Sequence, residues 1–184
     1  FYTRLQEVIE FNNFTPNDPF GRFGGYVNTR GGLARGVELS VATTPTRTLD
    51  LTAAYTYTNA DERTARLRDA TNARRILRSF GISAHQFSLV ATQRVGRRVL
   101  LNFDLVAASD HLAPVFNQGS GITHAFLFAG IRKADAGASY TWPLAESRSL
   151  RFFGYVENLT GHEYFENGFR TPGRTGRAGA QFSF

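Results

Sequence analysis

The chain has 184 residues and no cysteine, which removes disulfide frameworks, thiolate metal sites and cysteine nucleophiles together. No apolar run reaches the roughly 18 to 20 residues of a membrane-spanning helix, and residues 1 to 30 lack a signal peptide's charged start and apolar centre, so a soluble protein or a spanning β-barrel is expected. The formal charge of +6 rests on 21 basic residues of which 20 are Arg; about half of these Arg fall in predicted turns and loops, and a solvated basic rim is a plainer reading of them than a nucleic-acid surface.

Gly (18), Phe (17) and Tyr (7) are plentiful against a mean hydropathy of −0.26. Strands with one apolar and one polar face give that mixture. Eight antiparallel strands are predicted, over residues 1 to 11, 25 to 43, 48 to 59, 78 to 94, 97 to 109, 125 to 142, 149 to 159 and 175 to 184.

The first two strands flank a polar loop, residues 12 to 24. Glu7 and Arg35 fall on the apolar faces of these strands if the pleat is regular, and an Arg facing lipid at the midplane costs roughly 2 to 4 kcal/mol. Gly31, Gly32 and Gly36 are therefore read as a bulge that resets the phase, with Glu7 near an outer rim. After a tight turn around Thr44 to Arg47, the third strand sets Leu49, Leu51, Ala53, Tyr55 and Tyr57 against Asp50, Thr52, Ala54 and Thr56.

A long loop follows, residues 60 to 75, carrying Arg63, Arg66, Arg68, Arg74 and Arg75. Guanidinium groups there suit bidentate pairing with carboxylate or phosphate of an anionic ligand or lipopolysaccharide; a loop kept soluble by charge is the plainer reading. The fourth strand places Phe87, Leu89 and Ala91 against Gln86, Ser88 and Thr92. A turn at Val95 to Arg97 leads to the fifth, with Val99, Leu101, Phe103 and Leu105 opposite Asn102 and Asp104.

His111 and His124 bracket the next long loop, residues 110 to 124, where they are candidates to touch an iron chelate or haem. The sixth strand carries Ala134, Ala136, Ala138, Tyr140 and Trp142 on one side. Tyr55, Tyr57, Tyr140 and Trp142 lie near strand ends, where amphipathic rings suit a membrane interface and equally pack across neighbouring strands. A turn from Pro143 to Arg148, the seventh strand, a loop over residues 161 to 174 and the eighth strand complete the chain. Short turns on one side and long loops on the other are the habit of outer-membrane barrels.

None of His85, His111, His124 and His162 has metal-ligand spacing, and no G-x-S-x-G element or grouped Ser, His and acid occurs, so neither a metal site nor a catalytic residue is assigned. No enzyme activity and no cofactor are expected.

The run Val156-Glu157-Asn158-Leu159, then Glu163-Tyr164, Pro172-Gly173-Arg174 and a strand finishing on Phe184 resembles the closing segment of TonB-dependent outer-membrane receptors. Tyr26-Val27-Asn28 followed by Arg35-Gly36-Val37-Glu38-Leu39 is similar to a second segment of that family. The resemblance implies an all-β fold, in which residues 1 to 184 are the C-terminal portion of a transmembrane barrel of about 22 strands with a plugged lumen, the plug and N-terminal strands lying outside this sequence. It further implies import of a ferric siderophore, haem, cobalamin or similar nutrient across a Gram-negative outer membrane, with TonB engaged by the missing N-terminal part. Outer-membrane lipid and lipopolysaccharide would surround the barrel. Phe182 and Phe184 resemble the terminal signal read by the barrel-assembly machinery.

Two alternatives stand beside this one. An eight-stranded barrel closing on itself would have a structural or adhesive role, and would need a ladder between the first and last strands. A soluble ligand-binding barrel would turn its apolar faces inward.

Overall fold

The computed structural model describes residues 1–13, 19–62, 80–119, 121–145, 147–166 and 169–184. These residues form antiparallel strands and no helix: β1 (Tyr2–Arg4), β2 (Glu7–Asn13), β3 (Gly24–Arg30), β4 (Gly32–Thr46), β5 (Leu49–Glu62), β6 (His85–Val95), β7 (Val99–Ala108), β8 (His111–Asn117), β9 (Ile122–Phe128), β10 (Arg132–Ala145), β11 (Arg148–Glu157), β12 (Phe165–Glu166), β13 (Phe169–Arg170) and β14 (Thr175–Ser183). Hydrogen-bonded order in the main sheet is β1-β4-β5-β6-β7-β10-β11-β14, with β2-β3, β8-β9 and β12-β13 as separate pairs.

The chain divides into two compact units, one of Phe1–Gly36, Thr58–Ile82 and Leu112–Phe126, the other of Val37–Tyr57, Ser83–His111 and Leu127–Phe184. In the first, the predicted strands 1 to 11 and 25 to 43 are each broken. The Leu5 N–H reaches the Gly32 carbonyl at 3.0 Å and the Gly31 N–H reaches the Gln6 carbonyl at 2.9 Å, so β1 and β4 pair on one side of the break and β2 and β3 on the other. A Cβ on Gly31 would land on the Leu5 backbone, which is why glycine stands at this bend. The expected reset thus lies at Gly31, while Gly36 sits inside β4. Glu7 begins β2 and accepts a bond from the Asn28 amide at 3.1 Å; Arg35 is exposed, opposite Tyr2.

Of the expected long loops, the one over residues 12 to 24 stands among the described residues, with turn and irregular backbone at 19–23 between β2 and β3. The one over residues 110 to 124 is corrected: β8 and β9 take up most of it, so His111 and His124 lie on strands of a hairpin. A sequence window sees the fading alternation but not the partner strand that keeps the backbone extended.

In the second unit the short turns set the register. Gly96 takes a left-handed conformation (φ 60°) between Val95 and Val99, which pair. The strands then align apolar with apolar, except at Gln93, whose amide donates to the Thr48 hydroxyl at 3.0 Å. One row runs Leu51, Ala91, Phe103, Ala136, Val156; another runs Leu49, Gln93, Leu101, Ala138, Gly154, Ala178; a third joins Trp142, Leu150 and Phe182. The opposite face carries Asp50, Thr92, Asn102, Gly137, Tyr155 and Arg177 in one row and Thr52, Val90, Asp104 and Asp135 in another. A slip of one residue anywhere would exchange the faces, so this agreement across six strands fixes the pairing.

The apolar face is not packed away by the described residues: Leu101 is 40%, Phe152 45%, Trp142 53% and Phe182 54% exposed, while the buried hydrophobic residues are only Ala60, Ala125, Ala134 and Tyr164. β1 and β14 form the two edges, and no ladder joins them among the described residues. The ladder that an independently closed eight-stranded barrel needs is therefore absent from them.

Candidate functional site

The polar face gathers its chemistry where β10, β11 and β14 lie side by side. Ser139, Arg151, Phe153, Tyr155, Arg177 and Gln181, with Asn102 of β7, surround an open concavity of about 520 Å³. Its floor is made by rings lying over glycines. Phe153 pairs with Gly179 and Tyr155 is next to Gly137, and a Cβ on those glycines would come within 2.6 Å of the Phe153 ring and 2.7 Å of the Tyr155 ring. Glycine lets each ring lie flat and cover the backbone that a larger neighbour would have shielded. Gly179→Ala should lift Phe153 and lower the unfolding free energy of the folded protein by about 1 to 3 kcal/mol in urea titration, the usual cost of forcing extra bulk into a filled space. Gly173→Ala, where an added Cβ meets nothing, is the control.

Charges around the floor are held in different ways. The Arg151 guanidinium donates to the buried Ser139 hydroxyl at 3.1 Å. Arg177 lies over the Tyr155 ring at 5.0 Å and pairs with Glu157 at 3.5 Å. Nearer the Arg47–Thr48 turn, Arg94 pairs with Asp50 at 2.9 Å, and Asp50 accepts from the Thr44 hydroxyl at 3.3 Å. Cations, amides and ring faces in this arrangement suit binding through hydrogen bonds and stacking.

A second cluster joins this face to the loop after β11. The Asp135 carboxylate accepts from the Asn158 N–H at 2.7 Å, from the Lys133 ammonium at 3.1 Å and, more distantly, from the Tyr155 hydroxyl at 3.5 Å. Asn158 is 2% exposed with φ 53°, a left-handed conformation that Asn tolerates better than most residues. Its amide donates to the carbonyls of His162 (3.0 Å) and Pro172 (3.4 Å), and its side-chain oxygen accepts from the Thr160 hydroxyl (2.9 Å) and the His162 N–H (3.2 Å). The one Thr160 hydroxyl proton is shared between that oxygen and the Arg132 carbonyl, which lies 2.8 Å from the hydroxyl, and Arg174 donates to the Leu159 carbonyl at 2.6 Å. The motif Val156-Glu157-Asn158-Leu159 through Pro172-Gly173-Arg174 is thus a knot that fixes the loop to β10. Spacing alone did not show that role, because it depends on carbonyls 14 residues further on and on β10.

The other sequence-predicted residues are dispersed. Arg63, Arg66, Arg68, Arg74 and Arg75 lie outside the described residues. His111 stacks on Phe128 with ring centroids 5.8 Å apart, and His124 is half-buried on β9. Among the described residues no group of three or more His, Asp and Glu is placed to hold a metal. His85, unassigned from sequence, draws two of the predicted interface aromatics together: it bonds the Tyr55 hydroxyl through Nδ1 at 2.8 Å and lies 5.1 Å from the Tyr57 ring. Tyr140 accepts from Arg98 at 3.3 Å, Trp142 is exposed, and Phe182 stacks on Phe184 at 6.1 Å.

No protein-family model matches the sequence, and no curated protein matches it. Solved structures do. The ferripyoverdine receptor of the outer membrane of Pseudomonas aeruginosa, bound to ferripyoverdine, superposes with a TM-score of 0.67 at 16% identity over 96% of this chain and 23% of that one. The ferric-catecholate import receptor Fiu from K12 E. coli gives 0.63 at 19% identity over 91% of this chain and 23% of its own. BauA, the ferric preacinetobactin receptor from Acinetobacter baumannii, gives 0.63 at 17% identity over 97% and 26%. This chain spans about a quarter of the length of those receptors. Its fold is that of a barrel segment of TonB-dependent outer-membrane receptors.

Proposed function

We propose that residues 1 to 184 are the C-terminal portion of the barrel of a TonB-dependent receptor in the outer membrane of a Gram-negative bacterium, and that the whole protein imports a ferric chelate. The observation that carries this reading is the in-register separation of faces, row after row, between an uncovered apolar side and a polar side. An open sheet edge in lipid costs several kcal/mol per unsatisfied group, so β1 and β14 require further strands of the same barrel.

Lipid hydrocarbon covers the Leu101 face, lipopolysaccharide surrounds the outer rim, and Tyr55, Tyr57, Tyr140 and Trp142 sit at the interfaces. Phe182 and Phe184 are read by the barrel-assembly machinery, while a plug and a TonB-engaging segment belong to the rest of the protein. The chain acts as a transporter wall, without catalysis and without a nucleic-acid partner. A ferric siderophore is the favoured cargo because the similar receptors are described as binding or importing ferripyoverdine, ferric catecholate and ferric preacinetobactin. Haem and cobalamin are the other members of the class.

In this reading Arg63, Arg66, Arg68, Arg74 and Arg75 are the outer-loop contacts for an anionic chelate, with His111 and His124 as further candidates. Cells carrying the full-length protein should take up 55Fe-labelled catecholate or pyoverdine chelates only when the gene is intact. Replacing the five arginines with Gln should raise the half-saturating concentration about tenfold or more, equivalent to about 1.4 kcal/mol. Uptake that is unchanged by gene deletion for every chelate tried would remove the importer reading; unchanged half-saturation in the Gln variant would reduce the loop to a solvated rim.

A further inference from the structure

We propose that the concavity on the polar face is a binding site for carboxylates, with Arg151 and Arg177 as its two anchoring cations. The proposal rests on that face being the hydrated side of the barrel. Arg151 pairs in register with Gln181, Phe153 with Gly179 and Tyr155 with Arg177. The two guanidinium groups therefore rise from rows four residues apart, roughly 13 Å at the rise of an extended strand, with the Phe153 ring lying between them.

None of the residues lining the concavity is acidic. Arg151 is oriented by the neutral Ser139 hydroxyl, and no carboxylate of the described residues lies within ion-pair distance of it. Arg177 shares Glu157 at 3.5 Å with its side chain 69% exposed, so most of its donors face the concavity or water. A guanidinium fork is matched by the two coplanar oxygens of a carboxylate, and the flat floor accepts the hydrocarbon that carries it. Gln181 adds an amide beside Arg151.

The carboxylate has two sources of the same chemistry: an Asp or Glu of another segment of the longer chain, or a diffusible polycarboxylic acid. Purified full-length receptor separates them. In one arm citrate is titrated calorimetrically into the native protein and into Arg151→Gln and Arg177→Gln, and a diffusible ligand predicts saturable binding weakened about tenfold or more in each variant. In the other arm the amine introduced by Arg151→Lys is treated with a carbodiimide, and an internal partner predicts a cross-link by mass spectrometry to an Asp or Glu of the same chain. Either result supports the site and names its source.

Citrate heats that are the same in native and variant proteins, together with no cross-link, would overturn it. Should Arg151→Gln fail to give a heat-modifiable barrel, the conservative Arg151→Lys arm still decides. A Thr52→Cys variant, labelled from water by a charged maleimide, keeps the two readings apart. Labelling with both arms negative removes only the carboxylate site, whereas no labelling removes the hydrated face itself.

Discussion

Phe103→Arg should abolish most assembly of the barrel, while Asn102→Arg, one residue away, should leave it nearly intact. Phe103 is the fifth residue of ten in β7 and lies in the apolar row with Leu51, Ala91, Ala136 and Val156. Halfway along a spanning strand, an Arg facing hydrocarbon costs roughly 2 to 4 kcal/mol. The lost burial of the ring adds about 1.5 to 3 kcal/mol. Against a total stability of about 5 to 15 kcal/mol, the sum is enough to deplete the folded form. Asn102 faces the other way and gives up one bond with the Thr92 hydroxyl, at 3.3 Å, worth about 1 kcal/mol. Leu51→Arg and Thr52→Arg repeat the contrast on β5. The measurement is the amount of heat-modifiable receptor in outer-membrane fractions, and equal losses within each pair would contradict the assignment of faces.

Asn158→Ala should be the most damaging change outside the spanning rows. It deletes four side-chain hydrogen bonds, and it places an Ala at φ 53°. Each buried group left without a partner costs about 1 to 3 kcal/mol, and the left-handed backbone adds about 1 kcal/mol for a residue with an ordinary Cβ. A total loss of about 3 kcal/mol or more is expected in the urea unfolding free energy of the full-length receptor. Protease should then cut between Leu159 and Arg174. Asn158→Gly removes the same bonds but tolerates the backbone, so it should fall about 1 kcal/mol short of the Ala variant. An Ala variant within 1 kcal/mol of the native protein would show that the knot contributes little.

Much of the sheet was legible because the side-chain period of a strand is local. Leu49 to Tyr57 and Val99 to Ala107 declare their two faces without any knowledge of their neighbours. The breaks were less so. Gly31, Gly32 and Gly36 together suggest a bulge, and of the three Gly31 is the place where β3 gives way to β4, but the hairpin of β2 and β3 beyond it is held by cross-strand bonds that no window of sequence contains. The same blindness turned residues 110 to 124 into a loop.

For the site, the division was sharper. The terminal motif was visible as a string, yet the use of Asn158 to tie His162, Pro172 and, through Asp135, β10 depends on tertiary placement. Phe153 and Tyr155 carry no signal of their own in the sequence. Only the register with Gly179 and the nearness of Gly137 show why the polar face has a flat floor. Val90 and Val106, apolar residues on the polar side, are reminders that alternation is a tendency of a strand and the partner's register is what settles it.

The central claim is tested most directly by spin labels placed singly at residues 99 to 106 of the full-length receptor in lipid bilayers, with collisional accessibility read against oxygen and against a water-soluble nickel chelate. The account predicts alternation with period two: oxygen reaches labels at positions 99, 101, 103 and 105, and nickel reaches those at 100, 102, 104 and 106. Labels at positions 101 and 103 shielded from both reagents, or reached by nickel as readily as position 102, would contradict it.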